Sequence, residues 1–129
     1  PVRSARNLLS KLLAYDKLID TPNSMTSADT VVRTIRTLLD DGHDGQLYGR
    51  ITNVYDAGVS SPLAVGQLLA EAGLRPAPER LDKSDLDLWH KPQRVDTVVC
   101  DDFFEKTVRP SRVEDELRRV IGLYAATGS

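Results

Sequence analysis

A chain of 129 residues, 40% hydrophobic and 28% charged, fits one domain spanning residues 1–129 that can bury its own core. A formal net charge of -2 gives no overall electrostatic case for nucleic acid, and a single cysteine excludes an internal disulfide. No apolar run approaches the roughly 18 residues of a membrane helix, and no signal-peptide core is present. The expectation is an intracellular protein with no membrane contact, and a start on Pro1 fits trimming or processing.

In chain order, residues 4–20 read as a helix, because Leu8, Leu12, Tyr15 and Ile19 step by three or four and Leu9 and Leu13 widen the stripe. Thr21-Pro22 ends it. Residues 26–41 read as a second helix, capped by Thr26 or Ser27, with Asp29 in its first turn and Gly42 as its stop. Its expected core face is Val31, Val32, Ile35, Leu38 and Leu39, with Arg33 and Arg36 on the wet side. Asp40-Asp41-Gly42-His43-Asp44-Gly45 begins like a calcium loop, but Gly42 and Ile51 fall where ligands belong, so a glycine-rich connection is expected. The composition of residues 46–55 favours a strand, although Leu47, Ile51 and Val54 also fit a helical face.

Ser61-Pro62 opens a further helix with a serine cap and proline at its first position; Gly73 closes it. Glu71 is the one charge among residues 62–72, so Leu63, Leu68 and Leu69 are candidates for a partner interface. Proline-rich residues 75–80 are expected to be extended. A short helical turn over residues 84–90 carries Trp89, a second candidate anchor for a partner.

Residues 95–100 form the clearest β-type run, with Val98 and Val99 expected in the core and Cys100 as a small buried hydrophobe. Phe103, Phe104, Thr107 and Val108 follow at helical spacing. Ser111 and Glu114 make a capping box, and Val113, Leu117, Val120, Ile121 and Tyr124 give the last helix its apolar stripe. Glu114–Arg118 and Asp115–Arg119 should pair on its wet side. The expected fold class is α/β or α+β: a helix-rich domain with five or six helices around a small sheet.

Asp101 and Asp102 end an apolar strand, where carboxylates can hold a metal for phosphate chemistry or cap the next helix. No phosphate loop accompanies them, and Cys100 has no base or matching ligand pattern with His43 or His90. The catalytic, cofactor and metal assignments are therefore none, with a metal-dependent enzyme using Asp101 and Asp102 kept as an alternative. Scattered basic residues leave another alternative, a phosphate-contacting face built from Arg33, Arg36, Arg112 and Arg119.

Residues 98–108 resemble the last strand and helix of a BRCT-type domain, with Phe104 where that family has tryptophan and Gly42 and Gly45 as remnants of its glycine pair. In size and general character the chain is also similar to the minor procapsid assembly proteins of double-stranded-RNA bacteriophages, the cystoviruses. That resemblance implies a non-enzymatic, homodimeric assembly and RNA-packaging protein, with other assembly proteins and RNA as partners and the virion as its location. The leading expectation is accordingly an interaction or assembly protein rather than an enzyme.

Overall fold

The computed structural model describes residues 4–40, 42, 49–82, 84–85 and 97–127. Five helices and a small parallel sheet make an α/β arrangement among them. Helix α1 spans Leu8–Leu13, strand β1 Lys17–Ile19, α2 Ala28–Asp40, α3 Pro62–Glu71, strand β2 Glu79–Leu81, α4 Asp102–Val108 and α5 Val113–Ala126.

The first expected helix breaks into two elements. Asn7 caps α1 by accepting the Leu9 N–H at 2.8 Å, and Ala14 closes it after six helical residues. The chain then extends as β1 and pairs in parallel with β2, Lys17 opposite Glu79, Leu18 opposite Arg80 and Ile19 opposite Leu81. Continuing the helix would have turned Tyr15 inward; the strand leaves Tyr15 exposed and sends Leu18 into the core instead. Tertiary burial of one leucine overrides the helical periodicity here. Of the proline-rich residues 75–80, Glu79 and Arg80 enter β2, while 76–78 take no regular structure.

Helix α2 forms with nearly the expected bounds but is turned about its axis. Its buried residues are Thr30, Thr34 and Leu38, whereas Val32, Ile35 and Leu39 stand 56%, 54% and 60% exposed. The threonines go inward because each hydroxyl finds a partner there: Thr30 donates to Asp56 Oδ1 at 2.5 Å and Thr34 to the Thr30 carbonyl at 2.7 Å. A buried hydroxyl without a partner would cost about 1–3 kcal/mol, so these bonds allow the inverted placement.

Helix α3 begins as its sequence dictates, with Ser61 Oγ accepting the Ala64 N–H and Pro62 in the first turn. Gly73 takes φ +73° just past its end, a left-handed turn that suits glycine. Leu63, Val65, Gly66 and Leu69 are buried against Leu9, Leu12, Leu18, Ile121 and Tyr124, and Leu68 packs on the same cluster. The cover that this helix, with Glu71 as its one charge, needs comes from its own chain. Leu63 and Leu69 are core residues rather than an open partner surface; Trp89 lies outside the described residues.

The apolar run before α4 departs furthest from expectation. Residues 97–101 carry one isolated bridge, Thr97 to Asn23, and no strand; Val98 is 57% exposed and Cys100 is exposed. Residues 95 and 96 of that run lie outside the described region, as do Leu47 and Tyr48 of the second expected strand, whose residues 49–55 are irregular. Phe104 takes the buried place that Val98 and Val99 were expected to share, at 0% exposure and with its ring centroid 4.9 Å from that of Tyr55.

Helix α5 buries Val113, Ile121 and Tyr124, with Leu117 and Val120 packed beside them. Its capping box does not form. Ser111 and Val113 instead bond the Ala57 backbone on both sides, which moves the N-cap to Arg112. Glu114 and Arg118 pair at 3.1 Å as expected, but Arg119 turns to Glu116 at 2.6 Å and Asp29 at 2.5 Å rather than to Asp115.

Candidate functional site

The loop over residues 49–56 runs against the start of α4, and their meeting collects the most varied polar chemistry among the described residues. Asp101 is the N-cap of α4: its carboxylate accepts the Phe104 N–H at 2.9 Å and the Asn53 N–H at 3.2 Å. Those bonds, the first the larger, together with the charge of Arg50, hold its carboxyl below the ordinary aspartate range. Tyr55 is buried, its hydroxyl accepting the Asp101 N–H at 2.7 Å and donating to Glu105 Oε1 at 2.8 Å. Burial first, then the bond to Glu105, pushes the phenol up to about 12, so it stays protonated and serves as a donor rather than a base. Arg50 lies over Phe103 with its guanidinium carbon 4.4 Å from the ring centroid.

The expected acidic pair is thereby split. Asp101 is committed to the helix start, while Asp102 points to a different set: one ligand atom each from Cys100, Asp102 and Glu105 lies within 4.8 Å of the others. A thiol and two carboxylates are donors a divalent cation can use, but all three groups are exposed and Glu105 already accepts from Tyr55. His43 and His90 lie outside the described residues.

A second polar cluster ties α2 to α5. Ser27 Oγ donates to Glu116 at 2.6 Å, Thr30 to Asp56, and the Ser27 N–H reaches the second Asp56 oxygen at 3.2 Å. Burial raises Asp56 above its ordinary value, while the hydrogen bond from Arg119 lowers Glu116. These are structural ties, and they consume Arg119, one of the four expected phosphate contacts. Arg33 reaches Ser111 at 3.5 Å; Arg33, Arg36 and Arg112 are all exposed. A cleft of about 240 Å³ between α3 and α5 is lined by Ser60, Gln67, Leu68, Leu117 and the Glu71–Arg118–Glu114 ion pairs.

Sequence reading had singled out Asp101 but not Arg50, Asn53, Tyr55, Asp56 or Glu105. Arg50, Asn53, Tyr55 and Glu105 come together through contacts between residues about fifty positions apart, and Asp56 meets Ser27 and Thr30 at separations of 29 and 26, distances along the chain for which local spacing carries no signal.

No family model and no curated protein matches the chain. Among solved structures, the UDP-rhamnose synthase of Acanthamoeba polyphaga mimivirus shares the fold at a TM-score of 0.71 and 18% identity. The match covers 92% of this chain and 40% of the synthase, so the chain spans less than half the length of that enzyme.

Proposed function

We propose that this chain is the sugar-nucleotide-binding portion of a larger enzyme that makes a UDP-linked sugar, contributing recognition rather than the reacting groups. The observation that carries the reading is the extent of the fold match, nearly the whole of this chain against a minor part of a UDP-rhamnose synthase. The site chemistry agrees with a recognition role. Tyr55 is locked as a donor, Asp101 is spent on a helix cap, and Glu105, one of the two carboxylates near Cys100, is engaged by Tyr55. Arg50 on Phe103 offers a flat cation that can pair with a diphosphate and stack under a base, and Asn53 is tied through its N–H to Asp101, two residues before Phe103.

The test is a titration of the ¹⁵N-labelled chain with UDP-rhamnose, UDP and free rhamnose. The expected result is saturable shifts on residues 49–55 and 101–105 with UDP-rhamnose and UDP, lost in Arg50→Ala. Absence of saturable shifts at millimolar UDP-rhamnose would overturn the reading.

A second reading, a homodimeric assembly protein that binds RNA, draws support from the outward apolar side of α2 and from the exposed Arg33, Arg36 and Arg112. It requires a dimer in sedimentation equilibrium and RNA affinity that falls steeply with salt; a monomer indifferent to RNA would remove it.

A further inference from the structure

Two carboxylates and two hydroxyls run in single file between residue 56, the start of α2 and α5. Asp56 Oδ1 lies 2.5 Å from Thr30 Oγ1, Thr30 Oγ1 lies 3.1 Å from Ser27 Oγ, and Ser27 Oγ lies 2.6 Å from Glu116 Oε1. Asp56, Thr30 and Glu116 are 2%, 1% and 8% exposed, so these groups depend on one another for their hydrogen bonds.

Counting protons along the file decides its protonation state. Three links need three protons, and the two hydroxyls supply one each. With both carboxylates ionised, Thr30 donates to Asp56 and Ser27 to Glu116, and the link between the hydroxyls has no proton. One further proton, on Asp56 Oδ1, completes the file: Asp56 donates to Thr30, Thr30 to Ser27, and Ser27 to Glu116. Ser27 Oγ has a lone pair for this beside the one that accepts the Thr30 N–H at 3.1 Å. The other Asp56 oxygen accepts the Ser27 N–H at 3.2 Å, which leaves Oδ1 as the seat of the proton.

The surrounding charges put that proton on Asp56 rather than on Glu116. Glu116 accepts two bonds from Arg119, at 2.6 and 3.1 Å, which favour its ionised form. Among the described residues, Asp56 has two uncharged donors at its oxygens; Glu116 opposes its charge from α5 and Arg33 offsets it from α2. Asp29 on α2 is occupied by Arg119, and residues 23–27 bring no ionisable side chain. Burial pushes the Asp56 carboxyl up and the Arg119 bond holds Glu116 down, the directions this arrangement requires.

We infer that this file is a proton-holding clasp, in which Asp56 and Glu116 share a single proton whose loss at higher pH loosens the tie of residue 56 to α2 and α5. Asp56 directly follows Tyr55, so the clasp governs how firmly the end of the loop over residues 49–56 is held. A raised Asp56 contributes stability that is present below the unfolded aspartate value near 3.9 and lost as pH rises through the folded value. Glu116, being lowered, contributes stability that is lost as pH falls. The clasp is tightest between the two folded values.

The test is a ¹³C NMR titration of the side-chain carboxyls in the full chain, with thermal unfolding of the wild type, Asp56→Asn and Asp56→Ala across the same pH range. Asp56 is expected to titrate above the ordinary aspartate range in a step that also moves the Ser27 and Thr30 signals. Asp56→Asn mimics the protonated acid, with an amide N–H toward Thr30 and a carbonyl toward the Ser27 N–H. At neutral pH it should match or exceed the wild-type Tm, and the wild type should lose Tm relative to it as pH rises through the Asp56 step. Asp56→Ala removes both bonds and should lower Tm by about 4 °C or more. If that variant does not fold, the wild-type titration and Asp56→Asn decide alone. An Asp56 carboxyl titrating at or below the ordinary range would overturn the inference, as would Asp56→Asn lowering the neutral-pH Tm as much as Asp56→Ala.

Discussion

Gly66, in the middle of α3, offers a direct measure of how tightly the helix sits on the small sheet. By helix propensity alone, Gly66→Ala should stabilise the chain by about 1 kcal/mol. In the folded chain, the added Cβ would overlap Leu18 Cδ1 outright and stand 3.1 Å from Pro78 Cγ. Leu18 is buried at 4% exposure, so its methyl must be driven into packed neighbours, and Pro78 is a rigid ring directly before β2. Overpacking of this kind costs about 1–3 kcal/mol against a propensity gain of about 1 kcal/mol, which leaves a net loss of up to about 2 kcal/mol. At roughly 4 °C per kcal/mol for a domain of this size, Tm should fall by up to about 8 °C. Gly122→Ala in α5 is the control, because a Cβ there meets nothing within 4 Å and the position is exposed. That variant should gain about 0.5–1 kcal/mol. Leu18→Val in the Gly66→Ala background should recover part of the loss, a coupling of about 1 kcal/mol measurable by urea denaturation of all four species. Equal stabilisation by both glycine variants, or strict additivity of Gly66→Ala with Leu18→Val, would refute the packing argument.

Three further outcomes follow from the polar contacts. Tyr55 should show no phenolate absorbance as pH passes the ordinary tyrosine value near 10, its phenol being held up to about 12, and Tyr55→Phe should remove the late-titrating component from an ultraviolet pH scan. Glu116 is depressed in the folded state, so its contribution is present above the unfolded value near 4.3 and lost as pH falls through the lower folded value. Glu116→Gln should therefore flatten the acid side of a stability–pH curve, and an unchanged acid slope would contradict the Arg119–Glu116 tie. Cys100, being exposed, should react with a thiol reagent in native buffer at close to the rate seen in denaturant; strong protection would contradict its placement.

Much of the architecture was legible where local rules and burial agree. Ser61-Pro62 starts α3, residues 113–124 carry a stripe that is buried, and an aspartate at position 101 caps a helix bearing two phenylalanines. The misreadings share a cause. Apolar periodicity points Val32, Ile35 and Leu39 inward, yet on α2 the inward side carries Thr30 and Thr34 beside Leu38, because Asp56, from a loop nearly thirty residues on, supplies partners for Thr30 and Ser27. Leu8, Leu12, Tyr15 and Ile19 keep a helical step across residues 4–20, and only pairing with Glu79–Leu81 across the sheet decides for the strand at Lys17–Ile19. The candidate site was half visible: the acids near position 101 stood out, while Tyr55, Arg50 and Asn53 reach them through the tertiary fold.

The β1–β2 pair has a consequence for how this chain behaves when concentrated. A two-stranded sheet consists of two edges, and bare edges recruit strands from other molecules into aggregates. Here each strand is three residues long, and Lys17, Glu79 and Arg80 place charges along the pair, with Lys17 and Glu79 3.7 Å apart. Another backbone adding to either side would gain few hydrogen bonds and would have to disturb those charges. Precipitation by strand addition is thus discouraged at the sheet, and any loss of solubility should respond to substitutions on α2 rather than on β1 or β2.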